Sequence, residues 1–98
     1  MRTLETEFPE YGPLDFEVPH GFTGSHWHND ASPSWLSPEY ANGKTYKLWA
    51  NYKAPEMREF DGPRFTVTVE DEALSFATVC ESEDFATIAA FFNSLQVA

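Results

Sequence analysis

Asn42-Gly43 constrains the fold more than any other pair of residues in this chain. A two-residue type I′ turn needs positive φ at both central positions, which Asn and Gly tolerate, and it joins its flanks as an antiparallel pair. The dipeptide therefore predicts a hairpin between roughly residues 34–41 and 44–53. On the second arm Tyr46, Leu48, Ala50 and Tyr52 alternate with Lys47, Trp49, Asn51 and Lys53, so the first set is the expected core face. Pro38 has no N–H to donate to a ladder, which predicts an edge or a bulge in the first arm.

The remaining elements follow from the same kind of local pattern. Residues 1–12 read as an irregular acidic arm able to pack through Leu4, Phe8 and Tyr11. Leu14, Phe16 and Val18 alternate with Asp15 and Glu17, the period of a half-buried strand, and Pro19 ends it. A long loop over 19–33 carries His20, His26 and His28. Ala54 to Glu59 suit one helical turn with Pro55 at its first position, and Asp61-Gly62-Pro63 is a turn. Phe65, Val67 and Val69 predict a strand, and residues 74–80 return as another with Leu74, Phe76 and Thr78 on one face. Ser82 is the expected N-cap of a helix over about 83–95, with Glu83 and Asp84 in its first turn. Phe85, Ile88, Ala89, Phe91, Phe92 and Leu95 form its apolar stripe. The expected fold is α+β: an antiparallel sheet of four to five strands with one C-terminal helix packed across it, in a single domain spanning 1–98.

Nine Phe, four Tyr and three Trp in 98 residues supply enough apolar area for a core without cross-links. The single cysteine, Cys80, has no intramolecular partner, and Met1 to Glu7 hold no apolar signal region, which leads us to expect a cytoplasmic protein. No apolar run approaches the ~20 residues that span a bilayer.

Charge narrows the choice of partner. The formal net charge is −10, and every Lys and Arg except Arg2 lies between Lys44 and Arg64. Such a chain repels nucleic acid and attracts basic surfaces, so the expected partner is a basic protein surface with no direct nucleic-acid contact. The acids gather in three groups: Glu5, Glu7 and Glu10; Glu70-Asp71-Glu72; and Glu81, Glu83 and Asp84. If the last two close opposite ends of one strand they stand about 20–25 Å apart, a spacing suited to a nucleic-acid-binding groove. The far side of the helix offers Ala86, Thr87, Ala90, Asn93 and Ser94, small and uncharged, as a face for a partner or a second copy of the chain. Candidate partner-binding residues are therefore Glu70, Asp71, Glu72, Glu81, Glu83, Asp84, Ala86 and Ala90.

Catalytic chemistry finds little support. His26-Trp27-His28 with Asp30 places two imidazoles and a carboxylate on one side of an extended segment, which suits Zn²⁺ or a 2-His-1-carboxylate site. No second motif supplies a fourth ligand with characteristic spacing, His20 being the one further histidine that could add to the set. The competing expectation is that Trp27 enters the core while its neighbours hydrogen-bond the loop backbone. Cys80 beside Glu81 suits packing better than nucleophilic attack, because a neighbouring carboxylate raises a thiol's pKa. Lys47, Trp49, Asn51 and Lys53 make a basic and aromatic stripe able to stack a base or a sugar, against the opposing field of the whole chain. The five glycines are scattered, so no phosphate-cradling loop exists. We expect no enzyme activity, no cofactor and no resident metal.

The runs Phe16 to Phe22, Trp27 to Trp35 and Tyr46 to Glu56 resemble small uncharacterised acidic proteins of phages and mobile elements, and no functional residue is carried over from them. In size, acidity and lack of catalytic motifs the chain is also similar to anti-CRISPR proteins, which block a nuclease complex at its nucleic-acid or subunit-docking surface. That resemblance implies a phage-derived inhibitor of a host CRISPR-type complex, acting in the host cytoplasm. The alternatives are a small metal-binding protein using His26, His28 and Asp30, or a structural or interaction subunit of a phage.

Overall fold

The computed structural model describes residues 3–59, 62–70 and 76–95. In chain order the elements are α1 (Leu4–Glu7), β1 (Thr23–Gly24), β2 (Ser34–Leu36), β3 (Tyr46–Ala50), a 3₁₀ turn (Pro55–Met57), β4 (Phe65–Glu70), β5 (Phe76–Ser82) and α2 (Phe85–Asn93). The strands form one antiparallel sheet in the order β1-β2-β3-β4-β5, with α2 packed on one face. This is the expected α+β architecture.

Alternation in the central strands sets the two faces. Tyr46, Leu48 and Ala50 of β3 and Phe65 and Val67 of β4 are buried, and Ile88 and Phe92 of α2 close over them. Lys47 and Trp49 point to the opposite face, as their register predicts. Asn51 departs from that pattern: β3 ends at Ala50, and Asn51 is buried with its N–H donating to the Arg64 carbonyl at 2.8 Å.

The β2–β3 hairpin forms, with a different turn from the one predicted. Gly43 N–H donates to the Tyr40 carbonyl and Tyr40 N–H to the Lys44 carbonyl, both at 2.9 Å, with Gly43 at φ +78°. This is a three-residue loop with a left-handed glycine rather than a two-residue type I′ turn. Asn42 contributes through its side chain, Oδ1 accepting from Lys44 N–H at 3.0 Å and Nδ2 donating to the Tyr46 hydroxyl at 2.8 Å. Near Pro38 the ladder runs through a side chain: Tyr46 N–H donates to the Ser37 hydroxyl at 2.8 Å.

Local pattern misleads at four other places. Leu14 to Val18 form no strand, although Phe16 and Val18 do pack on the core. The place beside β2 is taken by β1, which lies within the segment expected to be loop, so the 14–18 segment is held by side chains: the Phe16 ring against Trp35, Phe65 and Phe85, Val18 against the core, and Asp15 on Arg64. The acidic arm contains a helical turn, because Thr3 and Thr6 make reciprocal capping bonds. The last strand runs to Ser82 and carries a bulge opposite Val67 and Thr68, which leaves Val79 exposed and sends Cys80 toward the core. Finally, Asp84 rather than Ser82 caps α2: its carboxylate accepts from Ala86 N–H at 3.0 Å, while the Ser82 hydroxyl accepts from Asp84 N–H at 3.0 Å.

Candidate functional site

Four carboxylates from three segments converge on one cleft of about 430 Å³. Glu7 and Glu10 come from α1 and the turn after it, Asp30 from the histidine loop, and Glu59 from the stretch after the 3₁₀ turn. Phe8, Pro9, Ala31, Tyr52 and Met57 supply an apolar lining. Burial of Tyr52 together with the charges of Glu10 and Glu59 raises its phenol pKa, as expected of a ring held beside anions.

His28 organises the cleft wall. Its backbone N–H and its Nδ1 lie 3.3 and 3.1 Å from Glu7 Oε1, tying the loop to α1, and these contacts lower the Glu7 pKa. Asp30 N–H donates to the Trp27 carbonyl at 2.9 Å, closing a turn that sets the Asp30 backbone.

Cations are handled differently from anions. Arg58 and Arg64, with side chains only 5% and 8% exposed, are turned into the fold. Arg58 binds Glu83 through both terminal nitrogens at 2.8 and 3.2 Å and also donates to the carbonyls of Tyr52, Lys53 and Gly62. Arg64 binds Asp15 at 2.7 and 2.8 Å and donates to the Asn51 carbonyl and the Tyr11 hydroxyl. Hydrogen bonds from Arg58 and from the Arg64 backbone hold the Glu83 carboxyl below its ordinary pKa, and Arg64 does the same for Asp15.

The candidate partner-binding residues separate accordingly. Glu83, expected at the helix terminus, is committed to Arg58 and to Arg64 N–H at 2.7 Å. Asp84 is exposed and spends one oxygen on the cap, and Glu81 is exposed on β5 opposite Thr66. Ala86 and Ala90 lie on the exposed face of α2 with Thr87, Asn93 and Ser94. Asp71 and Glu72, and the side chain of Glu70, lie outside the described residues.

The histidine loop does not present the ligand set expected of it. His26 is 7% exposed and meets Trp35 edge to face at 4.9 Å, whereas His28 points to Glu7. The two imidazoles therefore serve different environments, and among the described residues no group of three His, Cys, Asp or Glu side chains is placed to hold a metal ion. Trp27, expected in the core, is only half-buried and packs against the His28 ring at 4.4 Å. The core position is filled by His26, whose Nδ1 is buried without a hydrogen-bond partner and whose pKa is lowered by desolvation. Burial, followed by the charge of Glu81, raises the thiol pKa of Cys80.

Sequence reasoning missed the Glu7, Glu10, Asp30 and Glu59 cleft because its members come from segments with no common local pattern. The acid-rich arm was the available signal. No helix of the described residues is long and apolar enough to cross a membrane. No family model matches the chain, and neither a curated protein nor a solved structure is significantly similar to it.

Proposed function

We propose that this chain is a non-enzymatic binding protein that engages a basic surface of a protein partner, as a phage-derived inhibitor of a CRISPR-type complex in the host cytoplasm. The observation that carries this reading is the convergence of Glu7, Glu10, Asp30 and Glu59 on a partly apolar cleft while Arg58 and Arg64 are turned inward. A lysine or arginine side chain of a partner has an aliphatic stem for Tyr52 and Met57 and a charged head for the carboxylates. The exposed small residues of α2 add a second surface on which a subunit can approach closely.

Phage plaquing on CRISPR-immune hosts tests the proposal directly. Expression of the chain restores plaquing, and the double substitution Glu10→Lys with Glu59→Lys abolishes the effect without lowering thermal stability. Binding to the isolated complex weakens steeply between low and high salt. Failure to restore plaquing against any CRISPR type tried removes the inhibitor reading. A salt-independent dissociation constant removes the electrostatic one.

A further inference from the structure

The sheet face opposite α2 holds a second depression, which adjoins the acidic cleft and shares Asp30 and Ala31 with it. Residues paired directly across an antiparallel ladder project to the same side. Trp49, Thr66 and Glu81 therefore form one row and Lys47, Thr68 and Thr78 the next. At the β2 end Asn29 to Ser32 of the histidine loop border this face. The start of the loop is tied to β2 by Ser25 N–H to the Ser34 carbonyl at 2.8 Å and by the Ser34 hydroxyl to the Ser25 carbonyl at 3.0 Å, which extend the β1–β2 pairing. The loop walls a groove of about 520 Å³, with Trp49 and the three threonines lining it and Asn29, Asp30 and Glu81 around them. Trp49 Nε1–H donates to Thr68 Oγ1 at 3.0 Å, fixing the indole, and Lys47 Nζ lies 4.5 Å from the ring centroid.

We propose that this groove binds a neutral oligosaccharide. A sugar ring has a C–H face that stacks on an aromatic ring and an equator of hydroxyls that both donate and accept. The groove offers one oriented indole surrounded by hydroxyl, amide and carboxylate groups, the mixture such a ligand satisfies. A nucleic-acid strand is matched less well: Asp30 and Glu81 repel phosphate, and the Arg64 donors in the groove are already taken by Asp15, Asn51 and Tyr11. An apolar peptide would cover the threonine hydroxyls without pairing them.

The full chain, labelled with ¹⁵N, is screened on an array of neutral hexose and N-acetylhexosamine oligomers and then titrated with the best-bound oligosaccharide. The Trp49 indole N–H signal shifts saturably, while that of Trp35, buried on the other face, does not. Trp49→Ala weakens binding by about tenfold or more, in line with the loss of an aromatic stacking platform. Thr78→Arg, at an exposed position, blocks the groove with the fold retained. An oligothymidylate of similar length leaves the Trp49 signal in place. The proposal is overturned if no oligosaccharide on the array binds, if oligothymidylate moves the signal equally, or if both folded variants bind like the parent.

Discussion

Arg64 grips Asp15 from forty-nine residues away, with Nη1 and Nη2 donating to the two carboxylate oxygens at 2.7 and 2.8 Å. The same guanidinium reaches Asn51 and Tyr11, so one side chain joins the N-terminal segment, the end of β3 and the start of β4. Removing one member of such a group leaves the others desolvated and unpaired, which is worse than never having buried them.

Arg64→Ala should therefore destabilise the fold by about 2–3 kcal/mol, a value below that of a fully buried pair because Asp15 is 37% exposed. Lys53, 79% exposed and 3.9 Å from the same carboxylate, provides the contrast, and Lys53→Ala should change stability by less than about 0.5 kcal/mol. Urea unfolding of the two variants checks the difference. Because Arg64 lowers the Asp15 pKa below 3.8, this contribution is complete above that value and is lost as pH falls through the folded-state pKa.

His26 predicts a second pH effect in a higher window. Its folded-state pKa lies below 6.5, chiefly through burial, although the charges of Glu5 and Glu7 oppose the shift. The unfolded chain therefore binds a proton that the folded chain resists, and stability falls as pH drops below about 6.5. His26→Gln should remove this part of the slope between pH 7.5 and 5 and leave the acid-range loss in place. Equal slopes in parent and variant would show that His26 takes up its proton in the folded state.

Two glycines should fail for different reasons. A Cβ at Gly24 would stand 3.0 Å from Nε2 of His26, a ring held against Trp35, so Gly24→Ala should cost about 1–2 kcal/mol by crowding. At Gly43 the space is open and φ is +78°, so Gly43→Ala should cost about 1 kcal/mol through backbone conformation. Asparagine separates the two: it should be tolerated better than alanine at 43 and worse than alanine at 24. Thermal melts of the four variants decide the matter.

The α2 surface gives a prediction about interfaces. Ala90 is exposed, so Ala90→Arg should leave stability within about 0.5 kcal/mol of the parent. If the small-residue face meets a partner or a second copy, the same substitution lowers affinity or sedimenting mass. Unchanged mass and binding would make that face an ordinary solvent surface.

Sequence alone determined the elements whose signals are local. The alternation of Tyr46 to Ala50 and of Phe65 to Val69 and the apolar stripe from Phe85 to Leu95 each express a period that one segment carries within itself, and each recurs in the fold. The hairpin at Asn42-Gly43 recurs with a three-residue loop in place of the two-residue turn. Tertiary structure decided everything that depends on a distant partner. Leu14 to Val18 have the pattern of a strand and no ladder, because β1 holds the edge of β2. A bulge at Val79 shifts the register of β5 against β4, so that Cys80 stands opposite Val67 while Thr78 stands opposite Thr68 and keeps the side expected of it. His26 took the buried position expected of Trp27, since the depth of a loop residue depends on what lies beneath it, here Trp35. The surface charge was decided the same way: nothing local to Arg58 or Arg64 marks them as internal, and they become ties within the fold only because Glu83 and Asp15 come from elsewhere in the chain. Periodicity reports how a segment meets water, whereas pairing and burial report which other segment lies beside it.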